Sequence, residues 1–197
     1  MKIVGIAGRD RSGKDSVAEL YMKAGYFGFS FGDAVRRHSR LRHANEADPI
    51  SVRNMTDTSN WLRTEHGPDV ILKEALEAYE EAKKEGKGYK GVVLYSVRAP
   101  IEVDFILEHG GELVWVESSD EVRYKRKIDN LRAGEAKVTI EEMLAQEALQ
   151  TKPQPDIPVE SQMDLTYVQE HATVVIENNG DDIKAFEAVV QRTLINS

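Results

Sequence analysis

The chain has no cysteine, which excludes a disulfide framework, a thiolate zinc site and a cysteine nucleophile. No apolar run approaches the roughly 18–20 residues that a membrane-spanning helix needs. The opening MKIVGIAG turns glycine-rich where a signal peptide would extend its apolar stretch, so no export signal is expected. A basic excess is missing too: the net charge of −8 argues against a broad nucleic-acid footprint. Proline is scarce, and Pro153, Pro155 and Pro158 fall together in residues 151–162, which reads as a loop or hinge. There is no internal repeat and no low-complexity linker. The expectation is one domain over residues 1–197, long enough for a sizeable core, and a cytoplasmic enzyme.

What is present alternates between apolar strands and amphipathic helices, the pattern of an α/β fold with a largely parallel sheet. Strands are expected in KIVGIAG, YFGFSF (26–31), GVVLYSV (91–97), ELVWVE (112–117) and ATVVIEN. Helices are expected after Lys14, over 68–86, from Pro100 to Gly110, after Ser118 or Ser119, from Thr139, and over 181–194. Gly25, Gly86 and Gly110 sit where helices stop, and Thr139 with Glu142 has capping-box spacing. The polar stretch 44–60 gives no clear pattern. Positive charge gathers in two places, Arg36, Arg37, Arg40 and Arg42, and Arg123, Lys125, Arg126, Lys127 and Arg132. Such clusters are either local anion sites or solvated helix faces.

The sharpest signal is GRDRSGKDS. Gly8 to Lys14 spells G-x-x-x-x-G-K directly between the first strand and the first helix. Gly8 and Gly13 permit a tight turn whose N–H groups, with the helix N-terminus, form an anion cradle. Lys14 would reach the outer phosphates of a nucleoside triphosphate. The nucleotide-binding set is then Gly8, Arg11, Ser12, Gly13, Lys14, Asp15 and Ser16. Asp15 stands where a Mg²⁺-binding hydroxyl is usual, but a carboxylate is also a hard oxygen ligand, and Ser16 keeps a hydroxyl nearby. Asp15 equally suits the first turn of a helix by charge.

With these residues the chain resembles P-loop kinases of the nucleoside monophosphate kinase group. GRDRSGKDS is similar to the G-K-D variant loop of phage-type deoxynucleoside monophosphate kinases, and animal-type phosphomevalonate kinases carry a similar G-K-D. LRTEHGPDV, VVLYSVRAPIEVDFILEHGG and VIENNGDDIKAF resemble, in order and spacing, archaeal and bacterial proteins related to dephospho-CoA kinase and nucleotide kinases. The resemblance covers residues 1–40 and 61–194. It implies the three-layer P-loop NTPase fold, a five-stranded parallel sheet in order 2-3-1-4-5, an acceptor-binding region at about 33–67 and a helical lid at about 118–138.

The resemblance also assigns candidates. Asp33 would orient or deprotonate an acceptor hydroxyl, or else cap the next helix. Arg36, with Arg37 or Arg40, and Arg63 would hold acceptor phosphate, and Arg98 would clamp it from the end of strand 3. Of Arg123, Arg126 and Arg132, the last two are preferred as lid arginines neutralising the transferred group. Asn178 and Gly180 would pack on the adenine. One departure stands out: relatives often carry aspartate where this chain has Tyr95. The expected function is ATP- and Mg²⁺-dependent phosphoryl transfer to a small nucleotide-like acceptor: a nucleoside or deoxynucleoside monophosphate, or dephospho-CoA. The alternative is a nucleotide-binding regulator that has lost catalysis. Neither nucleic acid nor membrane is an expected partner, and the oligomeric state stays open.

Overall fold

The computed structural model describes residues 2–131, 137–148, 150–151 and 154–195. Five strands, β1 (Lys2–Ala7), β2 (Phe27–Ser30), β3 (Gly91–Tyr95), β4 (Glu112–Glu117) and β5 (Val174–Glu177), form one sheet in the order β2-β3-β1-β4-β5. All four pairings are parallel, as the sequence implied. Alternate residues of each strand feed two separate cores, because a parallel sheet is covered on both faces. Ile3, Phe29, Leu94, Leu113 and Trp115 pack under α2 (Phe31–Arg42), α3 (Val52–His66), α4 (Val70–Lys84), α5 (Pro100–Glu108) and the short α8 (Leu165–Glu170). Val4, Ile6, Val93, Val114 and Ile176 pack under α1 (Lys14–Lys23) and α9 (Ile183–Val190). Close packing leaves no room at Gly5, where a Cβ would lie 2.5 Å from Ile106 Cδ1. Two further helices follow β4: α6 (Asp120–Asp129), within the stretch expected as a lid, and α7 (Ile140–Ala148), just after it.

Local rules explain most boundaries. Gly25, Gly86 and Gly110 all take positive φ just past the helices they end. Thr139 and Glu142 exchange backbone-to-side-chain hydrogen bonds of 2.8 and 3.2 Å, the expected capping box. Three expectations need correction. Strand β3 stops at Tyr95 because Ser96 turns to φ 62°. Helix α4 starts at Val70 rather than beside Pro68, since Asp69 occupies the N-cap. And α3 fills much of the stretch that showed no pattern. No helix among the described residues is long and apolar enough to cross a membrane.

The register fixes where a ligand can sit. Ile6 pairs with Tyr95, Ala7 with Trp115 and Ser30 with Tyr95. The carboxyl ends of β1, β2 and β3 are therefore level, and β1 has β3 on one side and β4 on the other. Their loops open at that switch point, where open α/β sheets bind ligands.

Candidate active site

The phosphate loop is formed as its glycines require. Gly8 has φ 150° and Gly13 φ 101°, and Arg11 is a non-glycine residue at φ 63°. A Cβ at Gly8 would lie 2.7 Å from the Val116 carbonyl oxygen, and one at Gly13 would run into the Asn178 side-chain nitrogen. Within the loop, the fully buried Ser12 hydroxyl has no hydrogen-bond partner among the described residues. Lys14 is buried, with Nζ 3.8 Å from Asp15 Oδ1, while the Asp15 side chain is half exposed.

Two hollows meet at this loop. The smaller, about 400 Å³, is walled by Gly13, Ser16, Arg126, Asn178, Gly180 and Ile183. Asn178 donates to the Ser12 carbonyl at 2.8 Å. Arg126 donates to the Arg11 carbonyl at 3.3 Å and the Gly180 carbonyl at 2.8 Å. Arg126 thus ties the loop to the turn after β5, and burial pulls its pKa below the ordinary arginine value. The larger cavity, about 660 Å³, lies on the other side, and Lys14, Asp15, Asp33, Arg36, Arg63 and Arg98 all reach it. Asp15 and Ser16 therefore face different spaces.

The candidates of the larger cavity are individually anchored. Ser30 caps α2 by accepting from Asp33 N at 3.0 Å. The Asp33 carboxylate itself stays exposed and pairs with Arg36. So the cap is Ser30, and Asp33 is left facing the cavity. Arg63 is 2% exposed and its Nη2 donates to Glu102 Oε1 at 2.7 Å. Arg98 pairs with Gln150. Burial lowers its pKa against the pull of Asp10 and Glu147, yet a guanidinium stays charged at any working pH. Tyr95 also borders this cavity. Burial first, then the charges of Asp33 and Asp15, raise its phenol above the ordinary value.

Arg37 is not among the residues brought to the cavity: it pairs with Glu74 outside it. One turn of α2 explains this, because Arg36 and Arg40 share a helix face that Arg37 leaves. Arg123 is no free lid residue either. It is fully buried, bound to Glu147, to Asp120 at 2.6 Å and to the Asp10 carbonyl at 3.1 Å. Burial would lower its pKa, but the bonds to Glu147 and Asp120 outweigh it and raise the value. Arg132 lies outside the described residues. Sequence reasoning missed Glu102 and Glu147, both buried carboxylates that resemble ordinary helix-surface charges in the sequence. For Glu102 a signal existed: it is the third residue of a helix that opens with Pro100, the place from which a glutamate reaches back to the cap.

No family model matches the chain. A curated relative, a UPF0200 protein of Methanococcus vannielii, is 31% identical over 128 residues, which is 64% of this chain and 65% of that protein. The chain thus spans just under two thirds of the length of the curated relatives it matches. Among solved structures, TT1252 from Thermus thermophilus superposes with a TM-score of 0.56 at 22% identity, covering 99% of this chain and 97% of that one. A shikimate kinase from Bacteroides thetaiotaomicron gives 0.54 at 15% identity, covering 97% and 95%. Together with the strand order, these neighbours show the fold: a five-stranded parallel sheet between helices in the order 2-3-1-4-5, similar to that of the shikimate kinase.

Proposed function

We propose that the chain is an ATP- and Mg²⁺-dependent kinase acting on a small nucleotide-like acceptor. The observation that carries this reading is one loop between two hollows: Gly13 borders the smaller and Asp15 the larger, with the buried Lys14 between them in sequence. A donor and an acceptor can then approach the same phosphoryl group from opposite sides, as in-line transfer needs. The smaller hollow suits a nucleoside, with Ile183 and the Arg126 guanidinium as candidate stacking surfaces. The loop, its orphaned Ser12 hydroxyl and the Asp15 carboxylate fit a triphosphate with a hard cation. When bound, ATP would supply the phosphoryl group and Mg²⁺ would neutralise its charge.

The chain's own part is positioning. Lys14 meets the transferred group, and Arg98, Arg36 and Arg63 hold the acceptor's charged end. Met55, Met143 and Met163 line the acceptor cavity, so three of the chain's five methionines offer a soft apolar wall suited to a base. That favours a nucleotide-like acceptor over a polyol. The similarity of the G-K-D loop to deoxynucleoside monophosphate kinases favours transfer to a phosphate oxygen. The exposed Asp33 at the cavity favours transfer to a hydroxyl, which would use a base.

The test is ATP consumption across nucleoside monophosphates, deoxynucleoside monophosphates, dephospho-CoA and phosphomevalonate. With the active acceptor in hand, Asp33→Asn should cost several hundred-fold if a hydroxyl is phosphorylated and little if a phosphate is. A second reading, a nucleotide-binding regulator, is favoured by Tyr95 at the end of β3. Silence across the panel with ATP binding intact would select it.

A further inference from the structure

Glu102 joins two arginines that the sequence places 35 residues apart. Its side chain is almost wholly buried, in the first turn of α5. One carboxylate oxygen accepts from Arg98 N at 2.8 Å and Ala99 N at 3.1 Å. The other accepts from Arg63 Nη2 at 2.7 Å. A helix cap would need only the first oxygen. The second is spent on a guanidinium that arrives from α3, and both Glu102 and Arg63 border the larger cavity.

We propose that Glu102 is a positioning residue of the acceptor site, setting the side chain of Arg63 and the backbone turn of Arg98 with one carboxylate. The identity of the acceptor in this proposal rests on the kinase reading; the geometry does not. Arg63 bonds Ser59 through Nη1 and Glu102 through Nη2, and its buried Nε has no partner among the described residues. A guanidinium has five N–H groups in a rigid fork, so fixing one edge aims the remaining donors. Removing its counter-charge would leave an uncompensated buried cation. On the other wall, Ser96 holds φ 62° and Val97 N donates to the Ile6 carbonyl at 3.3 Å. Such a strained turn persists only where its surroundings over-determine it. Glu102 supplies two of the hydrogen bonds that do so, and Arg98 leaves from that turn.

The proposal separates charge from shape. Glu102→Gln keeps the outline, but its amide NH₂ must face either Arg63 or the two backbone N–H groups, donor against donor. Glu102→Asp keeps the charge and shortens the reach. The experiment uses the full chain saturated with a non-hydrolysable ATP analogue and Mg²⁺, so that the phosphate loop is filled. AMP, dephospho-CoA and inorganic phosphate are then titrated by calorimetry. The wild type should bind at least one of the three. Glu102→Gln should weaken it by about tenfold or more, the scale of a charge-assisted hydrogen bond, and Glu102→Asp by less. Affinity for the ATP analogue should stay within about twofold, and where turnover is seen the loss should fall on the acceptor KM rather than on kcat.

A wild type that binds none of the three probes overturns the proposal. So does a Glu102→Gln chain that binds them as the wild type does, or one that loses the ATP analogue by the same factor. If Glu102→Gln does not fold, Glu102→Asp decides, and an unchanged acceptor affinity there refutes the assignment. Acceptor binding that depends on Glu102 without any phosphorylation would keep this inference and defeat the kinase.

Discussion

Replacing Glu147 tests whether Arg123 serves structure rather than a moving lid. Arg123 is 0% exposed, and its guanidinium bonds Glu147 through both Nη atoms, Asp120 at 2.6 Å and the Asp10 carbonyl at 3.1 Å. Those contacts join α6, α7 and the phosphate loop at one point. Glu147→Ala removes the counter-charge buried with it. Breaking a buried pair in this way costs about 3–5 kcal/mol. Asp120 remains, but its side chain is 45% exposed, so its solvent-screened pair returns at most about 1 kcal/mol. The expected loss is therefore about 3 kcal/mol. For a chain of this size that lowers Tm by roughly 6–12 °C, at about 2–4 °C per kcal/mol.

Urea and thermal unfolding of Glu147→Ala, Glu147→Leu, Arg123→Met and the Arg123→Met/Glu147→Leu pair measure this directly. The double variant removes both charges and fills the space with apolar atoms, so it should come within about 1 kcal/mol of the wild type. The double-mutant cycle should then show a coupling of at least about 2 kcal/mol. A loss below about 1 kcal/mol for Glu147→Ala, or a double variant as unstable as the two singles added, would refute the reasoning. Arg123 would then be free enough to act in closure.

Three further outcomes follow from the same geometry. Gly13→Ala adds a Cβ at φ 101° against Asn178, a strain of order 1–3 kcal/mol, and should weaken ADP binding by about a hundredfold; calorimetry finding wild-type affinity would contradict the cradle. Asp15→Ala should depress Mg²⁺-dependent turnover far more than binding of metal-free nucleotide, and equal small effects on both would remove Asp15 from the metal. Burial, then Glu112 and Tyr26, raise the Tyr21 phenol above its ordinary value near 10, so the folded chain holds a proton that the unfolded chain gives up. Stability from this group is complete below about pH 10 and is lost as pH rises beyond it. Tm should fall on that alkaline side, and Tyr21→Phe should flatten the fall; an unchanged slope would show that Tyr21 is not its source.

The alternation of strands with helices and the phosphate loop were legible because both rest on rules that act locally, whereas the strand order came from the family resemblance. Continuous apolar, β-branched runs mark strands buried on two faces, and glycine marks the turns where φ must be positive. Helix α3 was not legible for a physical reason. Its buried positions include Asn54, Thr56, Thr58, Ser59, Asn60 and Arg63, several of which line the larger cavity, so hydrophobic periodicity has little to detect. Short α8 escaped because only two of its six residues, Leu165 and Val168, are buried, too few for a periodic signal. Among the arginines, the family resemblance singled out Arg63 and Arg98, and both border the larger cavity. Helix phase would have separated Arg37 from Arg36 and Arg40, and nothing local separates the buried Arg123 from Arg126 three residues later.

Tyr95 and Asp15 bear on each other in a way that sequence position hides. Tyr95 ends the strand beside β1, and its phenol provides no negative charge near neutral pH. Its raised pKa reports what surrounds it: after burial the causes are Asp33 and then Asp15. A phenol that feels both carboxylates shares their neighbourhood, and all three residues border one cavity with Lys14. Among the carboxylates that border this cavity are Asp15 in the first turn of α1 and Asp33 in the first turn of α2. There Asp15 is half exposed and Asp33 is 54% exposed, which costs little desolvation and leaves oxygens open to a cation or an acceptor hydroxyl. The Asp15→Ala measurement tests whether that exposed carboxylate serves a cation.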